Sequence, residues 1–453
     1  MIPSHELRLG LVALARTTFD IPLAEQVAAQ VRAQLRAAGF QLAGPQGLVT
    51  DLEGTQAAAR DLDGEPLDLL IVLQATFADS TMVTHLAGAV EAPLLLWAVP
   101  EERSGGRLRL NSFCGINLGA HALARRGQGY DYVYAAPGEA GTASHSVVEQ
   151  VSTLARAGRA RRLLRGARLG RVGENPDGLD TCQLDREALA GRLGLEVQQV
   201  DLAETFEAVG LVPAGEIDAV YRALEARLEG LGEVDQAALR RTLGSYLALG
   251  RLAEEERLAG LAVRCWPEFF TELGCAACGA MSMLSDEGTP CSCEADVNGT
   301  ITQMLLQWIS GEPAFGTDVV SFDLEEDAVV VWHCGLAPLS MADPEVRPRA
   351  AIHSNRRLPL LMEFPLKPGR VTVARLSEAT GDYRLVVGSG EMLRAPMSFS
   401  GTSGVLRFDR PARQVLDTML GQGLEHHLSL TYGDHVPTLL ALAKMLDLSV
   451  LRL

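Results

Sequence analysis

Continuous apolar runs separated by an amphipathic stretch constrain this chain more than any other feature. LRLGLVALA (7–15), LDLLIVL (67–73) and PLLLWAV (93–99) have the length of strands, and the last two carry no alternating polar face. Such runs suit strands covered on both sides, the condition met in a parallel sheet flanked by helices. Between the first two lies LAEQVAAQVRAQLRAAG (23–39). There Leu23, Val27, Val31 and Leu35 recur every fourth residue and Gly39 closes the pattern, so it reads as an amphipathic helix with a glycine stop. Strand, helix, strand in this order predicts right-handed crossovers and a parallel sheet within residues 1–160.

The pattern restarts after RAGRARRLLRGARLGR (156–171), a basic stretch that reads as a solvated helix and linker. ARLGRVG (167–173) and LEVQQVDL (195–202) flank a short helix, two helical stretches cover about 215–257, and LAGLAVRCW (258–266), CSCEADV (291–297) and DAVVVWHCG (327–335) follow as strands. Beyond residue 345 the chain becomes short strands punctuated by glycine and proline, then a closing helix PTLLALAKML (437–446) with Pro437 in its first turn. The expected fold is α/β: two doubly wound parallel-sheet domains (1–160 and 161–344) followed by a smaller β-rich, barrel-like C-terminal domain (345–453).

A net charge of −17 argues against a nucleic-acid partner. No apolar run reaches the roughly 18 residues of a membrane span, and MIPSHELRLG has no signal-peptide pattern, so a cytoplasmic protein with no membrane partner is expected. Eight cysteines in such a chain do not suggest a disulfide framework. Cys275, Cys278, Cys291 and Cys293 have a spacing that could hold structural zinc, although free cysteine also packs as a small hydrophobe; core packing is the reading for Cys265. There is no dinucleotide fingerprint, no P-loop and no nucleophile elbow.

Ligands of open α/β sheets bind beyond the carboxyl ends of strands. At such ends stand Arg16, Glu268, Glu294, Asp296 and His333. A further candidate lies in LEHHLSLTYGDH (424–435). As a strand, this segment puts His427, Ser429 and Thr431 on one face and His426 with Leu428 and Leu430 on the other. His427 is thus the expected ligand, His426 a residue that either packs beside it or supports it from behind, and His435 a cap of the last helix. Two carboxylates with one or two imidazoles suit Mn²⁺, with Mg²⁺ and Co²⁺ as alternatives, and leave positions open for a substrate with adjacent oxygens. His145 and Glu149, one turn apart, read as a solvated helix face, and His85 and His121 as structural histidines.

At several points in order along the chain the sequence resembles the L-fucose isomerase family, within the wider group that includes L-arabinose isomerases. LARTTFD resembles its N-terminal Arg-x-Thr element, CEADVNGTIT its second-carboxylate segment and HCGLAP the strand end that follows. HHLSLTYGDHVPTLLALAKMLDL resembles its metal-histidine stretch and closing helix, and GENPDGLDTCQLDREALAGRLGLEVQQVDL its middle domain. The resemblance implies a Mn²⁺ site made of Glu268, Asp296 and His427, with Glu268 and Asp296 also moving the proton. Arg16 resembles an arginine that reaches substrate, often in a neighbouring subunit's site. His333 matches a metal ligand of arabinose isomerases that is not a ligand in fucose isomerases, which leaves it as either a metal ligand or a substrate contact. The resemblance further implies a homo-oligomer, with a hexamer favoured, sites at subunit interfaces, and metal-dependent aldose–ketose isomerisation of a monosaccharide through a cis-enediol. The chain is shorter than typical L-fucose isomerases, which points to a different sugar. A non-catalytic carbohydrate-binding protein of the same fold is the alternative, and a zinc-organised interaction protein a third.

Overall fold

The computed structural model describes residues 6–138 and 146–453; residues 1–5 and His145 lie outside the described residues. The chain divides into two compact units, one ending at Arg162 and one running from Leu163 to Leu453.

The first unit holds β1 (Arg8–Leu14), β2 (Gln41–Ala43), β3 (Leu48–Val49), β4 (Leu69–Gln74), β5 (Leu94–Ala98) and β6 (Asp131–Tyr134). They form one parallel sheet in the order β2-β1-β4-β5-β6, with β3 also on β1. Every residue of β4 and β5 is buried, as their unbroken apolar sequences predict. The helix Ile21–Ala37 starts where the Asp20 carboxylate accepts the Leu23 N–H at 3.2 Å, and it buries Val27, Val31 and Leu35. Gly39 follows it at φ 88°, a left-handed conformation that glycine adopts without penalty.

The second unit opens with β7 (Arg168–Val172), β8 (Glu196–Val200), β9 (Leu258–Val263) and β10 (Cys291–Ser292), parallel and ordered β10-β9-β7-β8. The helices Ala214–Glu225 and Gln236–Glu255 occupy the stretch read as helical. CSCEADV is a strand only at its first two residues. The chain then turns, with Glu294 at φ 61° and Ala295 at φ 53°, and Asp296 starts the helix Val297–Ser310. Left-handed backbone costs non-glycine residues roughly 1–2 kcal/mol each, so this turn is held by its surroundings.

The remaining strands are β11 (Phe315–Asp323), β12 (Ala328–His333), β13 (Arg349–Ala351), β14 (Leu361–Pro365), β15 (Gly369–Ser377), β16 (Arg384–Leu393), β17 (Thr402–Phe408), β18 (His427–Tyr432) and β19 (Ser449–Arg452). Antiparallel pairing runs β17-β12-β11-β18-β15-β16 and returns to β17, closing a six-stranded barrel. The barrel therefore begins about thirty residues before the expected boundary at 345. DAVVVWHCG does not extend the second parallel sheet. It forms β12, folded back on β11 through the short Leu324–Asp327 connection, which is too brief for the crossover that parallel strands need.

Phe315, Val373, Leu406, Leu428 and Leu430 belong to the shared core. His427, Ser429 and Thr431 take the other face of β18, against the helix Val297–Ser310, as the alternation predicts. No helix of the described residues is long and apolar enough to cross a membrane.

Closure depends on a close approach of β16 to β17. A Cβ at Gly390 would overlap the Arg407 carbonyl oxygen and stand 2.8 Å from Phe408 Cα. Gly390→Ala should lower stability by about 1–3 kcal/mol, read as a reduced thermal-unfolding midpoint of the full chain.

Candidate active site

The turn after β10 and the start of β18 bring the candidate residues of the second unit together. Glu294 Oε1 accepts the Trp266 indole N–H at 3.0 Å, and Glu294 Oε2 lies 3.1 Å from His426 Nε2 and 4.0 Å from His427 Nε2. Cys182 Sγ stands 3.9 Å from the same oxygen. One donor atom from each of Cys182, Glu294, His426 and His427 falls within 4.8 Å of every other.

Asp296 sits behind this cluster, 1% exposed. Its carboxylate caps the helix Val297–Ser310 by accepting the Gly299 N–H at 2.9 Å. It takes a two-pronged ion pair from Arg375, at 2.5 and 3.0 Å, and accepts from His427 Nδ1 at 3.0 Å. With Nδ1 turned to Asp296, the His427 Nε2 faces Glu294 and Asp318, the latter 3.6 Å away. His426 places Nδ1 2.7 Å from Thr181 Oγ1.

Burial pushes the Glu294 carboxyl up, but hydrogen bonding from His426, the charge of His427 and the Trp266 N–H outweigh it and hold the group down at about 2. Burial likewise raises Asp296, and Arg375 and His427 bring it far below the usual carboxylate range. For Cys182, burial and the two neighbouring carboxylates push the thiol up.

The other expected residues lie elsewhere. Glu268 follows β9 but gives its carboxylate to Arg264, at 2.7 and 2.8 Å, so the unit does not gather Glu268 into the cluster. His333 ends β12, is 5% exposed and stands 5.7 Å, centroid to centroid, from His427. Together with Asp296, His427, Gln303 and Ser429 it lines a cavity of about 10 Å³, room for one water at most. Arg16 belongs to the first unit, where it follows β1 and forms an ion pair with Asp79.

Residues 10–165 match the family described as fucose/sulfoquinovose isomerase, N-terminal domain, and residues 363–453 match L-fucose isomerase, C-terminal domain. A sulfoquinovose isomerase of Priestia aryabhattai is 32% identical over 440 residues, covering 96% of this chain and 97% of that protein. One of Alkalicoccus urumqiensis is 30% identical over 97% of this chain and 98% of its own length, and one of Clostridium sp. (strain MSTE9) 31% identical over 84% and 85%.

The chain belongs to the fucose/sulfoquinovose isomerase family. It is an aldose–ketose sugar isomerase. The cluster fits a metal cofactor of such an enzyme: one carboxylate and two imidazoles converge, with His427 Nε2 turned toward Glu294.

Two readings of the sequence change. The cysteines near the site do not assemble as a zinc set among the described residues: Cys293 forms a disulfide with Cys265, Cα atoms 5.8 Å apart, while Cys275, Cys278 and Cys291 are free. The pair arises because both residues lie just past the ends of adjacent parallel strands, β10 and β9. His426 is not on a packed face of a strand, because β18 begins at His427 and alternation does not reach it. Its ring lies 3.9 Å from that of His427, centroid to centroid. Cys182, on a short helical turn far away in sequence, carried no signal by spacing.

Two outcomes follow. Arg375 is fully buried, so Arg375→Met would strand the Asp296 charge and should cost roughly 3–5 kcal/mol, measured by denaturant unfolding. Glu294 and Asp296 are both held below their ordinary values in the folded state. Their contribution to stability is therefore complete above about pH 4.5 and lost as pH falls toward about 2. The unfolding midpoint should drop across that window, and drop less in Glu294→Gln.

Proposed function

We propose that the enzyme converts sulfoquinovose, an aldose carrying a sulfonate on C6, to the corresponding 2-ketose, using Mn²⁺ held by Glu294, His426 and His427. The observation that carries this reading is the convergence of those side chains in a chain that aligns over nearly its full length with sulfoquinovose isomerases. When bound, the cation supplies Lewis-acid polarisation of the sugar carbonyl and a template for its adjacent oxygens.

The protein supplies the rest. Glu294, fixed by the Trp266 N–H, is placed to carry the proton between C2 and C1 through a cis-enediol. Asp296 orients His427 rather than touching sugar, because Arg375 and the helix N-terminus already occupy its oxygens. Glu268, two residues beyond Trp266, is the second carboxylate of the reaction and handles the hydroxyl proton after turning from Arg264. His333 borders the sugar from the β12 end. Arg16 reaches the substrate from a neighbouring subunit of a homo-oligomer, a hexamer in the favoured arrangement. Ligation needs ionised carboxylates and neutral imidazoles, so turnover should fall in acid.

The test is ketose formation from sulfoquinovose, fucose and arabinose with added Mn²⁺, with C2 proton exchange followed in deuterated solvent. Sulfoquinovose should be the preferred sugar. Chelation should abolish conversion and Mn²⁺ restore it. Glu294→Gln and His427→Ala should lose bound Mn²⁺ along with activity, whereas Glu268→Gln should lose activity and keep the metal. Normal turnover by Glu268→Gln would remove that residue from the mechanism, and metal retention by Glu294→Gln would refute the ligand set.

A further inference from the structure

Arg356 is a half-buried guanidinium to which no carboxylate pairs among the described residues. Its Cζ lies 4.7 Å from the ring centroid of Trp266 and 5.3 Å from that of Phe270. Because the Trp266 N–H donates to Glu294, a single indole separates the guanidinium from the carboxylate of the metal cluster. The turn that presents Arg356 is fixed by its own backbone: the His353 N–H donates to the Leu358 carbonyl at 2.9 Å, and the Arg357 N–H to the His353 carbonyl at 2.8 Å.

His353 makes the arrangement informative. It is 4% exposed, with the Phe270 ring edge-on to it at 5.3 Å between centroids. Its Nδ1 lies 3.3 Å from the backbone N–H groups of both Asn355 and Arg356, which fixes the ring against the turn. Nε2 stands 3.0 Å from Arg356 Nη1, so this buried ring holds one arm of the guanidinium. The other N–H groups of the guanidinium have no hydrogen-bond partner among the described residues, and an oxyanion supplies oxygens to them.

We propose that Arg356, held in place by His353, forms an oxyanion subsite that receives the C6 sulfonate of the substrate. The proposal rests on the functional reading above and extends it. A six-carbon sugar carries its carbonyl and its C6 substituent at opposite ends. Here a polar terminus exists for each, Glu294 with the histidines at one and Arg356 with His353 at the other, and the Trp266 ring lies between them. The planar guanidinium fork matches the tetrahedral oxyanion in a way that a lysine ammonium does not. This subsite would set selectivity for a sulfonated sugar over its uncharged counterpart, at a distance from the proton-transfer chemistry.

The experiment compares wild type, Arg356→Gln and Arg356→Lys, all Mn²⁺-loaded, on sulfoquinovose and on quinovose, the same sugar without the sulfonate. Arg356→Gln should raise KM for sulfoquinovose by roughly ten- to a hundredfold, with kcat changed by no more than about threefold. Its kcat/KM on quinovose should fall by far less than that on sulfoquinovose, and Arg356→Lys should fall between wild type and Arg356→Gln. Inorganic sulfate should compete with sulfoquinovose in the wild type and cease to do so in Arg356→Gln. An unchanged KM for sulfoquinovose, or equal losses on both sugars, would overturn the subsite while leaving the isomerase reading intact. Calorimetric binding of sulfoquinovose gives a readout independent of turnover. If the wild type binds the sugar without converting it and Arg356→Gln does not bind, the subsite stands and the functional reading fails. Equal binding by both proteins sinks the subsite. Tighter binding of glucose 6-phosphate than of sulfoquinovose would reject the sulfonate as its ligand.

Discussion

The Asp296 carboxylate is the point at which three parts of the second unit are tied together. It caps the helix Val297–Ser310, takes both prongs of Arg375 from β15, and accepts the Nδ1 proton of His427 at the start of β18. Asp296 and Arg375 are out of contact with solvent, so each charge has lost its hydration and depends on the other. A buried pair of this kind gives little net stability over apolar residues of the same size, but removing one partner is severe. What it supplies is orientation. With the carboxylate fixed by Arg375 and the helix, His427 Nδ1 is anchored and its Nε2 is turned toward Glu294.

The same geometry explains why Glu294, and not Asp296, faces the open side. The chain leaves β10 through two left-handed residues, Glu294 and Ala295, before the helix begins at Asp296. That turn sends carboxylates two residues apart in different directions, one inward to Arg375 and one outward to His426 and Trp266. The Cys265–Cys293 disulfide joins the two strand ends that carry Trp266 and Glu294, so the residues on either side of their hydrogen bond are linked covalently as well.

Much of the architecture was legible because burial on both faces leaves a direct trace in sequence. The uninterrupted apolar runs at β4 and β5 and the four-residue period of Ile21–Ala37 need no tertiary context to be read. The division between the second sheet and the barrel was harder. β12 is as apolar as a parallel strand, and only its antiparallel partners β11 and β17 show that it closes a barrel. In the candidate site, alternation along β18 placed His427 with Ser429 and Thr431. It misled for His426, which precedes the strand.

The local sequence by itself determined which segments become strands and helices, that acids and histidines stand at strand ends, and that His427 lies on a polar face. Period and apolar continuity are properties of neighbouring residues, so they survive without knowledge of the fold. Which carboxylate joins the histidines, the pairing of Glu268 with Arg264 and of Asp296 with Arg375, the arrival of Cys182, and the approach of Arg356 to Trp266 were decided only in three dimensions. Each depends on side chains separated by a turn conformation or by many residues. Their partners are chosen by burial and charge compensation in the folded unit, a selection that no local spacing encodes.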